Sequence, residues 1–267
     1  MSTPGPDTES IAEPVVRLRG VEQRFAGGVT ALAALDLDVR PGEWLSLLGP
    51  SGCGKSTALR LIAGLARPTA GSVERRLQGT HGVGGIGGVG DIGFVFQEPT
   101  LMPWATVEGN VALPLQILGT PRAEIRTRVG ELIERVGLAG FERARPRELS
   151  GGMKMRVSIA RALAAAPRLL LLDEPFAALD EITRARLNDD LLALWQAQGL
   201  TVVYVTHSVW ESVYLSTRIA ILSSRPGRVV GEVKVDAPAP RGADFRDSTA
   251  YLHLCRQVSE MLAEAMR

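Results

Sequence analysis

The chain has 267 residues, with 30 Lys and Arg against 29 Asp and Glu for a formal net charge of +1. That length suits one large domain or a core domain with a smaller lobe, and the charge balance argues against a general nucleic-acid or membrane-surface binder. Two cysteines, Cys53 and Cys255, make no disulfide framework, MSTPGPDTES has neither a basic n-region nor an apolar h-region, and no stretch offers about 18 consecutive apolar residues. A reducing cytoplasm is therefore the expected compartment, and any membrane role must come from a partner.

Residues 1–14 are polar, without apolar periodicity, and are expected to form a disordered lead. Short apolar alternations at Val15 to Val21 and Leu35 to Val39, broken by Gly27-Gly28 and Pro41-Gly42, predict antiparallel strands. Trp44 to Leu48 predicts a buried strand and Lys55 to Leu65 an amphipathic helix. Between them Gly49, Pro50, Ser51, Gly52, Cys53, Gly54, Lys55, Ser56 and Thr57 fit the phosphate-loop pattern G-x-x-x-x-G-K-[ST] in the strand–loop–helix context it requires. The N–H groups of such a loop face phosphates, Lys55 brings a charge to the β and γ oxygens, and the Ser56 hydroxyl can ligate Mg²⁺. Cys53 lies beside Lys55 and a helix N-terminus, where a thiolate is favoured; the competing reading is a buried, inert thiol.

Ser72 to Glu74 predicts a short strand, and the glycine-rich stretch Gly79 to Gly93 reads as a mobile loop. Ile92 to Phe96 predicts a strand ending at Gln97. The pattern from Glu98 to Ala165 is mainly helical, punctuated by Pro99, Pro103, Pro114, Pro121 and Pro146. Leu169 to Leu172 has the length and composition of a central parallel strand and ends in Asp173-Glu174. Then follow a predicted helix at Glu181 to Gln198, a strand at Val202 to Val205, a helix at Val209 to Leu215 and a strand at Ile219 to Leu222. Strands alternating with helices predict an α/β fold: a P-loop NTPase core, its mixed sheet carrying an antiparallel β portion, with an α-helical lobe inserted at about 98–165. In the tail, 238–267, Leu252, Cys255, Val258, Leu262 and Met266 recur at spacings of three and four, an amphipathic helix that packs on its own domain.

Three further motifs carry chemistry. Asp173 and Glu174 end a buried strand, where an open α/β sheet presents its ligands; one acid can hold Mg²⁺ and the other can orient or deprotonate water. Leu149-Ser150-Gly151-Gly152-Met153, followed by a helix, is either a second anion-binding device or a plain N-cap. Taken in order, GPSGCGKST, LSGGM, LLLLDE, Asp180 and Thr206-His207 resemble the nucleotide-binding subunit of an ATP-binding cassette (ABC) transporter over about residues 15–237.

That resemblance implies ATP and Mg²⁺ as ligands. It implies that Gly49 to Thr57 hold the nucleotide, that Phe25 stacks on adenine where Tyr is more usual, and that Ser150, Gly151 and Gly152 form the signature. Ser56, Gln97 and Asp173 become metal residues, Glu174 the catalytic base, Ala178-Leu179-Asp180 the D-loop, and His207 the switch residue at the γ-phosphate. Gln97 is implied at the metal and the attacking water. Met153 in place of Gln, FQEPTLMPW at Phe96 to Trp104 and SRPGRVV at Ser224 to Val230 are similar to nitrate/sulfonate/taurine-type importers. Ser208 replaces the frequent Asp after the histidine. The implied partners are a second copy in a head-to-tail ATP sandwich, transmembrane permease subunits docked on the helical lobe and, indirectly, a solute-binding protein, with no nucleic acid. The implied location is peripheral, on the cytoplasmic face of the cell membrane. The implied solute is a nitrate-, sulfonate- or taurine-like anion; a pyrimidine precursor, or a regulatory role without any solute, is the alternative.

Overall fold

The computed structural model describes residues 13–77, 90–177, 179–237 and 241–267. The N-terminal lead up to residue 12, most of the glycine-rich stretch Gly79 to Gly93, and Ala178 of the expected D-loop lie outside the described residues.

In chain order the elements are β1 Val16–Arg24, β2 Thr30–Val39, β3 Trp44–Leu48, α1 Lys55–Ile62, β4 Ala70–Arg75, β5 Ile92–Val95, α2 Val107–Ile117, α3 Arg122–Arg135 and α4 Gly151–Leu163. They continue as β6 Leu169–Asp173, α5 Glu181–Gln198, β7 Thr201–Thr206, α6 Val209–Leu215, β8 Arg218–Leu222, β9 Val229–Lys234, α7 Ala243–Arg246 and α8 Thr249–Ala265. A six-stranded sheet runs β5-β6-β7-β3-β8-β9, parallel except for β9, and a separate antiparallel sheet runs β2-β1-β4. The mixed sheet with an antiparallel portion is thus present, split into two sheets.

Helix α1 lies between the two sheets because each presents it an apolar face. Leu18, Val21 and Leu35 pack from the small sheet, and Leu45, Leu47, Leu169, Leu171, Val203 and Val205 from the large one, around Ala58, Leu59 and Ile62. Side chains alternate along a strand, so the other face of the large sheet carries Trp44, Leu170, Leu172, Val202, Tyr204, Ile219 and Ile221 into a second core with α2, α4, α5 and α8. This double burial is why the central strands read as unbroken apolar runs.

Three elements differ from the sequence reading. Helix α1 stops at Ile62 instead of reaching Leu65, because a turn through Gly64 returns the Leu65 N–H to the Arg60 carbonyl and leaves Leu65 exposed. Strand β9 was not anticipated: only its Val233 is buried, a pattern too weak to signal a strand before β8 is there to pair with it. In α8 the buried positions are Tyr251, Cys255 and Val258, while Leu252 and Met266 are exposed. Cys255 and Val258 keep the expected stripe and Leu262 packs against it, but Tyr251 takes the place of Leu252 because its ring packs between Trp210 and Phe245 and its hydroxyl donates to the Trp210 carbonyl.

One buried ion pair ties the frame beneath these cores. Arg218, at the start of β8, donates through Nη2 and Nε to both oxygens of Glu43 at 2.8 and 3.1 Å, reaches Glu232 of β9 at 2.8 Å, and also bonds the Asp38 carbonyl of β2. Arg218→Ala strands the Glu43 carboxylate in a site only 9 % exposed and should cost about 3–5 kcal/mol in urea unfolding. The apolar pair Arg218→Met with Glu43→Leu should cost less than that single change.

Candidate active site

The phosphate loop leaves the C-terminal end of β3 and enters α1 through Gly54, whose φ is +107°. A Cβ at Gly54 would lie 2.7 Å from the Ala31 carbonyl oxygen, so the close approach of β2 admits only glycine. Lys55 is 4 % exposed, and its ammonium donates to the Gly49 carbonyl at 2.8 Å and the Pro50 carbonyl at 2.9 Å. Its Nζ is also 3.9 Å from Glu174 Oε1. Beside the loop is a cavity of about 380 Å³ lined by Phe25, Val29, Lys55, Ser56, Thr57, Glu174 and Arg225, among others. Phe25 reaches it from the hairpin between β1 and β2, where its N–H donates to the Val29 carbonyl and its ring stays half exposed. An exposed ring face beside a phosphate cradle is what a purine base can stack on.

Two carboxylates enter from the end of β6. Asp173 is buried and accepts from Ser56 Oγ at 2.8 Å; burial pushes its carboxyl above the usual carboxylate range, and the Ser56 bond only partly offsets that. The next residue, Glu174, adopts φ +44°, a left-handed turn that costs a non-glycine residue about 1–2 kcal/mol. Its N–H bonds the Val205 carbonyl, and its Oε2 lies 3.1 Å from His207 Nδ1. His207 follows β7 directly. Ser208 accepts from the Glu211 N–H and caps α6, while its own N–H donates to Thr206 Oγ1. A serine performs here the capping that an aspartate also performs, so the turn carrying His207 keeps its hydrogen bonds.

Residues 32–177 match the family described as "ABC transporter". An uncharacterized ABC transporter ATP-binding protein of Methanocaldococcus jannaschii is 47% identical over 236 residues, 88% of this chain and 85% of the relative. The aliphatic sulfonates import ATP-binding protein SsuB 2 of Pseudomonas syringae pv. tomato is 46% identical over 91% of this chain and 95% of its own. The chain belongs to the ABC transporter family. Among solved structures, a dimeric bacterial ABC transporter cassette is 35% identical, with a TM-score of 0.73 over 84% of this chain and all of that one. A dimeric ATP-binding cassette in a post-hydrolysis state, bound to ADP and Pi, gives the same values.

Among the described residues, Ser150, Gly151, Gly152, Leu179 and Asp180, expected to form the signature and part of the D-loop, are not among those that line this cavity. Ser150 caps α4 by accepting from the Met153 N–H, Gly151 is exposed at the helix start, and Gly152 is buried with Thr183 so near that a Cβ would sit 3.0 Å from its methyl. Met153, where the family commonly has Gln, is half buried against the main core. Asp180 caps α5 by accepting from the Thr183 N–H at 2.9 Å. Gln97, two residues beyond β5, is exposed and outside the cavity. The stretch after it is held by Asn110, which bonds both ends of the Met102–Thr106 turn, and by Arg161, which donates to the Pro99 and Thr100 carbonyls.

Sequence reading missed Glu211 and Arg184. Glu211 accepts from Tyr204 and Thr206 at 2.8 Å each, and Arg184 reaches the Glu211 carboxylate at 3.7 Å while donating to the Leu179 carbonyl. The available signal was a tyrosine in the apolar run of β7, whose buried hydroxyl needs an acceptor.

The donor set fits Mg²⁺. A serine hydroxyl and a desolvated carboxylate 2.8 Å apart, beside a phosphate cradle, suit an ion that takes its remaining ligands from phosphates and water. Among the described residues no group of three or more His, Cys, Asp or Glu could hold a metal by itself. Of the two readings of Cys53, the buried thiol is the one its surroundings support: the residue is 1 % exposed, and burial pushes its thiol up against the lowering effect of Lys55, 4.0 Å away. In the folded protein at pH 8, Cys53 should react with a thiol reagent at least about 100-fold more slowly than a free thiol and become fully reactive only in denaturant, as followed by peptide mapping.

Proposed function

We propose that this chain is the ATP-hydrolysing subunit of an importer, acting as a head-to-tail pair on a separate membrane permease. The observation that carries the reading is the Glu174–His207 contact beside buried Lys55, over a cradle that faces none of the chain's own signature residues. The loop N–H groups and Lys55 hold the β- and γ-phosphates. Glu174 takes the proton of the attacking water, and the His207 ring, held at Glu174, supports the charge that develops on the γ-phosphate. Ser56 and Asp173, with Gln97 drawn in, would hold Mg²⁺, which would neutralise charge on the phosphate oxygens.

Ser150 and Gly151 are exposed at the N-terminus of α4, with Gly152 beneath them, where they complete the site of a second copy instead of their own. The dimeric cassettes among the structural relatives support that arrangement. Trp104 is 73 % exposed and Ile117 66 %, both on the segment that follows Gln97, and they offer an apolar surface for the permease. No helix among the described residues is long and apolar enough to cross a membrane, in keeping with a peripheral subunit on the cytoplasmic face. Relatives named for aliphatic sulfonate import support a small organosulfonate as the solute, delivered by a solute-binding protein. Competition between labelled alkanesulfonate and nitrate for uptake by the complete transporter tests that assignment.

Glu174→Gln preserves shape but cannot accept a proton. Turnover should fall about 10²- to 10⁴-fold with ATP binding intact, and gel filtration should show a dimer with ATP that is absent with ADP. Normal hydrolysis by this variant would remove Glu174 from the mechanism. His207→Ala should likewise bind ATP and lose most turnover; an equal loss of binding would mark the histidine as structural.

A further inference from the structure

The turn between β8 and β9, Ser223 to Arg228, has no part in the chemistry above, yet it is built against the phosphate loop. The Gly227 N–H donates to the Ala31 carbonyl at 2.9 Å, and the Ala33 N–H donates to the Gly227 carbonyl at 3.1 Å, which stitches the turn to β2. Ser223 Oγ accepts from the Arg228 N–H and donates to the Pro226 carbonyl, closing the turn on itself. Gly227 approaches the loop so nearly that a Cβ there would fall 2.1 Å from the Cys53 carbonyl oxygen, a contact no side chain survives.

From this platform Arg225 Nε donates to the Gly52 carbonyl at 3.0 Å, and its side chain lines the same cavity as Lys55 and Thr57. Among the described residues it makes no ion pair, so its charge is not consumed by a carboxylate. The loop is therefore gripped by two cations from opposite flanks. Lys55 holds the Gly49 and Pro50 carbonyls, and Arg225 holds the Gly52 carbonyl. Gly52 is exposed and left-handed at φ +75°, the point of the loop with the greatest freedom to rotate its peptide planes.

We propose that Arg225 is a positioning residue of the nucleotide site, which fixes the Gly52–Cys53 peptide plane and brings a second cation to the polyphosphate. Carbonyls engaged by Lys55 and Arg225 cannot turn inward toward the phosphates, where they would repel them. A loop set in its binding shape beforehand loses less entropy when the nucleotide arrives. The proposal rests on the ATP-binding reading and adds to it a residue from outside the nucleotide-binding motifs.

The test compares wild type, Arg225→Ala and Arg225→Lys as full chains, with ATP and ADP affinities from calorimetry, steady-state ATPase constants and melting temperature without nucleotide. Arg225→Ala should weaken ATP and ADP alike by about 10-fold and raise KM in step, because both nucleotides carry the β-phosphate that the loop holds. kcat should stay within about 2-fold, since Glu174 and His207 do not touch Arg225, and the nucleotide-free melting temperature should not move. Arg225→Lys should recover affinity to within about 3-fold of wild type, the ammonium keeping the charge and a donor. Unchanged affinity in Arg225→Ala would overturn the proposal. So would an affinity loss matched by a lower melting temperature and not recovered by lysine, which marks a turn that is merely structural. Wild-type protein that binds no ATP would fail differently, overturning the nucleotide reading itself.

Discussion

The catalytic edge depends on one constraint, the parallel register of β3, β6 and β7. Leu48 pairs with Thr206, and Asp173 with Val205, so the three strands end level with one another. Within one residue of those ends come Gly49, Glu174 and His207, the first more than a hundred residues before the other two in the chain. The register is held because both faces of each strand are committed: Leu169 and Leu171 to the core around α1, Leu170 and Leu172 to the opposite core. A slip by one residue would exchange these faces and carry Asp173 away from Ser56.

Electrostatics then distribute the work. A lysine that is 4 % exposed cannot be left without partners, and the loop supplies carbonyl dipoles and the nearby Glu174 carboxylate. Those partners are weak beside a polyphosphate, so the arrangement holds the cation in position without saturating it. Asp173 has the complementary problem. Desolvation raises the cost of its charge, and a single serine hydroxyl does not remove that cost. A divalent cation would.

The residues proposed to face a second copy, Ser150 and Asp180, are built by a different rule. Ser150 and Asp180 are both N-caps, engaged by the N–H groups of Met153 and Thr183, and both stand at exposed helix starts. Their placement comes from helix-end chemistry and needs no cavity. Between Asp180 and the end of β7 runs the Glu211–Arg184 pair, which joins the Thr206 hydroxyl before His207 to the Leu179 carbonyl before Asp180. The turn that carries His207 and the one that leads into Asp180 are thereby physically connected within one chain.

The phosphate loop, the carboxylate pair and the alternation of strands and helices up to β8 were legible in the residues alone. Each of these is local: a glycine pattern, an apolar run of strand length or a capping residue needs only its neighbours to be recognised. The helices Glu181–Gln198 and Val209–Leu215 were legible to the residue because Asp180 and Ser208 cap them. Tertiary structure alone decided what depends on distant neighbours. It set the state of the Cys53 thiol, since burial outweighed a nearby cation. It put Tyr251 in place of Leu252 on the buried face of α8, through the Trp210 and Phe245 rings. It made Val229–Lys234 a strand, because β8 lies alongside. It also brought Glu211, Arg184 and Arg225 to the site, since a charged side chain carries no trace in the sequence of which remote carbonyl or carboxylate it will meet.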